Sequence, residues 1–172
     1  MSDDFAHCLK IDQIRDGDRI DLVASEGERT AIAERLRLES LARLDAHAVL
    51  ARKGAAIEVH GRLHASLEQA CVATGEPVPA HVDEPFDIIF TPTPEQERSD
   101  QEVELGSADC DVVFHDGSRI DLGAAIADTL ALALDPYPRS AGAEAALREA
   151  GVLSEEQAGP FAALAALKKE NE

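Results

Sequence analysis

The chain has 172 residues, of which 34 are acidic and 16 basic, so that its formal net charge is −18. Apolar residues make up 45 %, enough for one core at this length, but no apolar run approaches the roughly 18 residues of a membrane span. The acidic N-terminus lacks the features of a secretory signal and the three cysteines are far apart, which predicts a single cytoplasmic domain over residues 1–172.

The first third of the chain predicts short extended segments followed by a helix. Apolar alternation favours strands within 5–14 and 19–24, on either side of a turn signal. Ser25 and Glu28 have the spacing of a capping box, in which each side chain accepts a hydrogen bond from the other residue's backbone amide. An apolar stripe that continues to Leu36 then predicts a helix of roughly 12 residues.

The middle third predicts an antiparallel β-meander with one solvent-exposed face. Apolar and polar residues alternate along the runs 43–53, 56–68 and 78–90, which is the period of half-buried strands. The third run contains Pro79 and Pro85. Because proline cannot donate a backbone hydrogen bond, we expect this strand to lie at a sheet edge or to contain a bulge.

The last third predicts a short strand at 112–114 and a buried helix. Asp121 is suited to cap this helix, whose apolar residues recur at helical spacing as far as Leu134 before a proline-rich stop. Residues 139–172 are predicted to form a weakly structured tail with helical segments near 143–150 and 161–169. The predicted fold class is therefore α+β: an antiparallel β-meander or partly closed sheet with flanking helices and a long acidic loop.

The acidic excess is concentrated in one part of the chain. Residues 83–128 hold 13 acidic and two basic residues, a net charge of −11 in about a quarter of the sequence. Within them, residues 92–110 combine prolines and carboxylates with few apolar side chains, which predicts a mobile loop. This loop is either a solubilising linker or an electrostatic arm for a basic partner.

Several patterns raise the possibility of metal binding or catalysis. His60 and His64 lie on one face of a predicted strand, near His47 and His81, but residues four apart on a strand are about 13 Å apart and cannot alone share a zinc ion. Asp109 and Asp111 could bind magnesium, and His115 precedes Asp116 at a turn. Adjacency in sequence is not catalytic geometry, so we predict no catalytic residue, no metal and no cofactor.

Three stretches of the chain, 71–79, 120–138 and 160–168, carry a resemblance to a known family. In this order, with an acidic loop between the first two, they resemble the YceD family in its alphaproteobacterial form, and the similarity spans about residues 10–170. The resemblance implies a role in 23S rRNA accumulation or processing and in large-subunit assembly. Many relatives have Cys-x-x-Cys where this chain has Cys71 and Thr74, which argues against a metal site here.

The family role and the net charge together suggest a mechanism. Phosphate backbones repel so acidic a chain, so the favoured hypothesis is a non-enzymatic factor that binds a basic ribosomal protein or a large-subunit precursor, with indirect contact to rRNA and with neither a membrane nor a small-molecule substrate involved. The candidate partner-binding residues are Asp83, Glu84, Asp87, Glu95, Glu97, Asp100, Glu102, Glu104, Asp109 and Asp111.

Two alternatives remain open. The first is direct binding of rRNA by a local basic patch, since cations that neutralise phosphates dominate RNA affinity. The candidate residues of this patch are Arg29, Arg35, Arg37, Arg52, Lys53 and Arg62. The second is an enzyme of an uncharacterised class.

Overall fold

The computed structural model describes residues 5–93 and 111–152. The strands in these residues are β1 (Cys8–Lys10), β2 (Asp18–Val23), β3 (Ser40–Lys53), β4 (Ala56–Ala70), β5 (Pro77–Pro92), β6 (Asp111–His115) and β7 (Arg119–Asp121). The α-helices are α1 (Glu26–Leu36), α2 (Leu122–Ala133) and α3 (Ala143–Glu149). The predicted α+β class is confirmed. No helix in the described ranges is long and apolar enough to cross a membrane.

Both predicted helix starts are confirmed by their capping bonds. At α1 the amide of Ser25 donates to Glu28 Oε2 at 2.7 Å, while the amide of Glu28 donates to Ser25 Oγ at 3.4 Å. At α2 the amide of Ala124 donates to Asp121 Oδ1 at 3.0 Å. These bonds satisfy backbone amides that have no partner inside the helix, so local sequence is enough to specify where each helix begins.

The main sheet contains five strands in the order β2-β3-β4-β5-β6. β2 pairs with β3, and β3 with β4, in antiparallel register. As residue numbers rise along β4, the numbers of the β5 residues that it contacts fall, which is the order of an antiparallel pair. The predicted meander is therefore confirmed.

The prediction of a partly closed sheet is wrong. β6 joins β5 in parallel over residues 88–92 and is the last strand of the described sheet, while β1 and β7 form a separate two-stranded sheet. Closure requires the first and last strands to pair with each other, and here the order runs from β2 to β6 without such a pairing. β5 lies between β4 and β6 in the described sheet, so the predicted edge position is wrong for the strand as a whole, although Pro79 and Pro85 lie before the segment paired with β6.

The core draws on the inner face of the main sheet, on Ile32 of α1 and on the buried stripe of α2. Alternation places every second residue of β3 and β4 in it, as predicted. The largest fully buried side chains belong to Ile32, Leu44, Leu50, Ile57, Val59, Leu63, Ile88, Phe90, Ile120, Leu122, Ile126 and Leu130. These aliphatic side chains form a core in which Phe90 is the one aromatic member of the set.

The chain divides into two compact units. The first comprises Met1–Gln69 with Pro79–Pro136, and the second comprises Ala70–Val78 with Tyr137–Glu172. In its described part the second unit contains the turn after β4 and the helix α3, which matches the predicted helical segment near 143–150. Residues 94–110 of the predicted acidic loop and the predicted helical segment 161–169 lie outside the described residues. The single-domain prediction stays a prediction.

Candidate functional site

The exposed face of the main sheet, here called the outer face, carries the four histidines considered above as zinc ligands: His47, His60, His64 and His81. His47 Nδ1 lies 2.5 Å from Asp21 Oδ1, and His64 Nδ1 lies 3.3 Å from Asp83 Oδ1. His60 contacts Asp87. Each of these three imidazoles therefore contacts a carboxylate on a neighbouring strand.

The polar groups of the outer face are paired with one another rather than directed to one point. Arg62 contacts Asp83, and this guanidinium holds the pKa of the Asp83 carboxyl below its ordinary value. His81 Nδ1 lies 3.1 Å from Ser66 Oγ. Among the described residues, no three His, Cys, Asp or Glu side chains converge on a common metal position. The outer face is thus a surface of cross-strand pairs.

A groove with an acidic rim, here called the acidic groove, lies between β5, β6 and the C-terminal half of α2. Its volume is about 220 Å³, and its lining residues are Glu84, Pro85, Phe86, Asp87, Asp111, Thr129, Leu132 and Ala133. Leu132 is 77 % exposed. Glu84 and Asp111 form no salt bridge with a described residue, whereas Asp87 contacts His60. The groove therefore offers an apolar wall beside two carboxylates that form no salt bridge with a described residue.

The acidic groove brings together three of the predicted partner-binding residues. Glu84, Asp87 and Asp111 line it, and Asp83 lies on the outer face beside Arg62. The remaining candidates fall outside the described residues: Glu95, Glu97, Asp100, Glu102, Glu104 and Asp109. Asp111 reaches the groove only because β6 pairs in parallel with β5, a contact that sequence periodicity does not reveal.

The six candidates for the alternative RNA-binding patch lie at three places. Arg29, Arg35 and Arg37 belong to α1 and its C-terminal cap, and Arg29 lines a cleft together with Ser40 at the start of β3. Arg52 and Lys53 end the same strand, about 40 Å away at roughly 3.3 Å per residue. Arg62 lies on the outer face, where it contacts Asp83. These six side chains do not share one surface.

Another basic site was missed by the sequence reasoning. Lys10, Arg52 and Arg119 line a cleft of about 530 Å³ together with Ile11, Asp12, Gly117 and Ser118. We call it the cationic cleft. Of its three cations, the sequence pattern had indicated Arg52 alone, because Lys10 and Arg119 are isolated basic residues in two short strands. Nothing in their local sequence context could have brought them to attention.

The predicted His115–Asp116 pair belongs to the turn between β6 and β7. His115 is 7 % exposed, and its Nδ1 accepts a hydrogen bond from the Gly117 amide at 3.0 Å. Asp116 Oδ1 accepts hydrogen bonds from the hydroxyl and the amide of Ser118, which lower the pKa of the Asp116 carboxyl to about 2. Both side chains are thus used to hold the turn.

Cys71, in the second unit, lies in a hydrogen-bonded turn. Its Sγ accepts a hydrogen bond from the Ser140 amide at 3.3 Å. That bond, followed by one from the Thr74 hydroxyl, lowers the pKa of the Cys71 thiol from its ordinary value to about 6. Hydrogen bonds of this kind stabilise the thiolate form. Thr74 Oγ1 also lies 3.1 Å from Glu76 Oε2.

We expect Cys71 to ionise near pH 6 in the folded protein. In a variant with Cys8→Ser and Cys110→Ser, the thiolate absorbance near 240 nm should rise with a midpoint near pH 6. In denaturant the midpoint should return toward the ordinary cysteine value of about 8.5. Because the folded state lowers this pKa, the free energy of unfolding should increase as the pH rises from about 6 to about 9 and then level off. Equal midpoints in the two states would contradict the assignment.

The fold and its surfaces define a class: an acidic α+β protein built on an open five-stranded sheet, with an acid-rimmed groove and a separate cationic cleft. Residues 59–168 match the family model described as Large ribosomal RNA subunit accumulation protein YceD. The chain belongs to this family, and the resemblance seen in its three sequence stretches is confirmed. No curated protein and no solved structure matches the chain significantly. The alphaproteobacterial form stays a prediction.

The family's description names accumulation of the large ribosomal RNA subunit. It thereby associates this chain with ribosome biogenesis. The matched segment begins within β4 and includes all of β5, β6, β7 and α2. It therefore includes the whole lining of the acidic groove, whereas Lys10 and Arg52 of the cationic cleft precede it.

Proposed function

We propose that this protein is a non-enzymatic, cytoplasmic factor in large ribosomal subunit biogenesis that binds a basic ribosomal protein or a pre-ribosomal particle. In this proposal, carboxylates of the 83–116 region screen lysines and arginines of the partner until rRNA replaces them. The family's description and the net charge of −11 over residues 83–128 support it. Contact with 23S rRNA is then indirect.

The acidic groove is the observation that carries this proposal. A lysine or arginine side chain combines a long aliphatic stem with a charged head. The groove has apolar residues that suit the stem and carboxylates that suit the head. The stem would pack against Leu132 and Phe86, while the head would lie between Glu84 and Asp111. Since these two carboxylates form no salt bridge within the described part of the chain, a bound cation would not have to displace one there. The groove thus matches the side chains in which ribosomal proteins are rich.

We expect neutralisation of the groove to weaken partner binding. Tagged protein would first be used to purify its partners from cells, and the affinity of the recovered basic ribosomal protein would then be measured. Charge-assisted hydrogen bonds contribute about 1.5–3 kcal/mol, so the Glu84→Gln/Asp111→Asn double variant should bind at least about tenfold more weakly. The dependence of affinity on salt should also become less steep.

The matched control is Glu34→Gln/Glu149→Gln, which removes two exposed carboxylates from α1 and α3. It should leave both the affinity and the salt dependence near those of the unmodified chain. Deletion of residues 93–106 should weaken binding further if the acidic loop acts as an arm. Equal affinity of the groove variant and the control variant would refute the role of the groove, and recovery of a metabolic complex instead of ribosomal material would refute the function.

A further inference from the structure

The cationic cleft is assembled from three separate parts of the first unit. Lys10 of β1 lies directly opposite Arg119 of β7 in the antiparallel register of the two-stranded sheet. Arg52, at the end of β3, donates from Nη1 to the carbonyl oxygen of Ile11 at 3.3 Å. The Ile11 amide in turn donates to the carbonyl oxygen of Ser118 at 3.2 Å. These contacts bring all three cationic side chains to one cleft.

The positive charge of the cleft lining is compensated in part, since Asp116 beside the cleft interacts electrostatically with Arg119. Like charges on directly opposed residues of an antiparallel pair are destabilising, yet Lys10 faces Arg119, and Arg52 adds a third positive charge. Asp12 is the one carboxylate in the lining. Two neighbouring carboxylates accept hydrogen bonds from backbone amides: Asp16 from Arg52 at 3.2 Å, and Asp116 from Ser118 at 2.8 Å. An anion in the cleft would relieve the repulsion among the three cations.

We propose that the cationic cleft binds a phosphate group, either in an RNA backbone or in a free phosphate ester. Guanidinium groups bind phosphate oxygens in a bidentate manner, and a lysine adds a mobile point charge. The volume of about 530 Å³ exceeds the size of a single phosphate and falls in the range of small-molecule sites. It leaves space for the sugar or nucleoside attached to the phosphate.

The net charge of −18 does not exclude such a site. Charges separated by more than the Debye length, about 10 Å at 0.1 M ionic strength, are largely screened from each other. A bound phosphate therefore interacts mainly with the charges in and beside the cleft: three cations and Asp12 in the lining, and the Asp16 and Asp116 carboxylates, which accept hydrogen bonds from the Arg52 and Ser118 amides. This inference goes beyond the proposed function, because it gives the protein a direct contact with phosphate as well as the contact with a basic partner.

The test compares two triple variants that lose the same amount of positive charge. In the cleft variant Lys10, Arg52 and Arg119 are replaced by Gln, and in the control variant Arg19, Arg139 and Arg148 are replaced by Gln. The probe is a single-stranded 12-nucleotide oligouridine RNA, measured by filter binding over a range of salt concentrations. Thermal melts establish that each variant is folded.

The cleft variant should bind the RNA at least about tenfold more weakly than the control variant. The slope of log affinity against log salt should fall in magnitude by about 2, because each phosphate contact on a single strand contributes roughly 0.7. An Asp12→Asn variant keeps all three cations and should bind a few-fold more tightly than the unmodified chain. This second variant tests the site without removing any contact that Arg52 makes within the fold.

Inorganic phosphate distinguishes the two sources of the ligand. In NMR titrations of the unmodified chain, phosphate should shift the backbone amides of Asp12, Gly117, Ser118 and Arg119, and the cleft variant should lose these shifts. Phosphate shifts together with cleft-dependent RNA binding support an RNA backbone, and phosphate shifts without RNA binding support a free phosphate ester.

Three outcomes would overturn the phosphate site. The first is the absence of both phosphate shifts and RNA binding, and the second is equal RNA binding by the cleft and control variants. The third is loss of RNA binding only when Arg29, Arg35 and Arg37 are replaced, which would favour the basic patch on α1. None of these outcomes bears on binding of a basic protein at the acidic groove, so the two proposals can fail separately.

Discussion

Replacement of Leu130 by Asp should abolish the cooperative thermal unfolding of this protein. Leu130 is 0 % exposed, lies in the C-terminal half of α2 and belongs to the main core. A carboxylate there would be buried without a partner, at a cost of roughly 4–5 kcal/mol or more. Domains are stabilised by only about 5–15 kcal/mol in total, so most of the stability should be lost. Circular dichroism during heating would measure the change.

Leu132→Asp is the matched control for this substitution. It introduces the same side chain on the same helix two residues later, where Leu132 is 77 % exposed. The expected change in unfolding free energy is within about 0.5 kcal/mol, as for most surface substitutions. Because Leu132 lines the acidic groove, this substitution should nevertheless change the affinity for a basic partner. A cooperative melt of Leu130→Asp at the original temperature would show that the buried face of α2 has been assigned wrongly.

Gly123→Ala should also destabilise the protein strongly. A Cβ atom at Gly123 would overlap the backbone carbonyl oxygen of Phe5 and would lie 2.8 Å from the amide nitrogen of His7. Neither group can easily move away, because the N-terminal segment is held against the start of α2 by two hydrogen bonds. The amide of Leu122, the residue before Gly123, donates to the His7 carbonyl oxygen at 3.1 Å, and the His7 amide donates to Asp121 Oδ1 at 3.1 Å. Overpacking of this kind costs about 1–3 kcal/mol, which for a chain of this length corresponds to a fall in Tm of about 2–12 °C.

The same substitution at Gly27 should have the opposite effect and stabilise the protein. Gly27 lies inside α1, and a Cβ atom there would meet nothing within 4 Å. Alanine has the higher helix propensity, so this variant should gain about 0.5–1 kcal/mol and melt at a higher temperature. If Gly123→Ala instead raised Tm as Gly27→Ala should, the close approach of the N-terminal segment to α2 would be incorrect.

Elements whose signal is local could be predicted from the sequence. The capping box of Ser25 and Glu28 specifies the start of α1 through bonds that span three residues. The alternation of β3 and β4 specifies which side chains are buried, since one-residue slips would expose the core. Leu130 could be placed in the buried face of α2 for the same reason, because helical periodicity depends only on neighbours along the chain.

Contacts between distant parts of the chain could not be predicted in this way. The parallel pairing of β6 with β5 and the separate sheet of β1 and β7 join segments that have no shared pattern. The expectation of a partly closed sheet failed at this point, because strand alternation is the same in open and closed sheets. Strand order depends on which segments pack together, and that information is spread over the whole sequence.

The candidate sites also differ in how far local sequence could predict them. The excess of carboxylates over residues 83–128 was visible in the sequence, since charge density is a property of composition. The groove that joins Glu84 to Asp111 was not visible, because it depends on the pairing of β6 and on the position of α2. The cationic cleft is even harder to predict from local sequence patterns, because Lys10, Arg52 and Arg119 come from three separated segments.

The sequence by itself therefore determined the family, the α+β class, the caps and the buried faces, because each depends on residue order or on short-range periodicity. Only the tertiary structure decided that the sheet is open, that the predicted arginines lie apart and that three isolated cations meet at one cleft. The physical reason is that the pairing of β1 with β7 and the contact of Arg52 with Ile11 join segments that are far apart in the sequence. Such contacts depend on how the whole chain packs. In so acidic a protein, these long-range contacts create a positively charged site that the composition does not suggest.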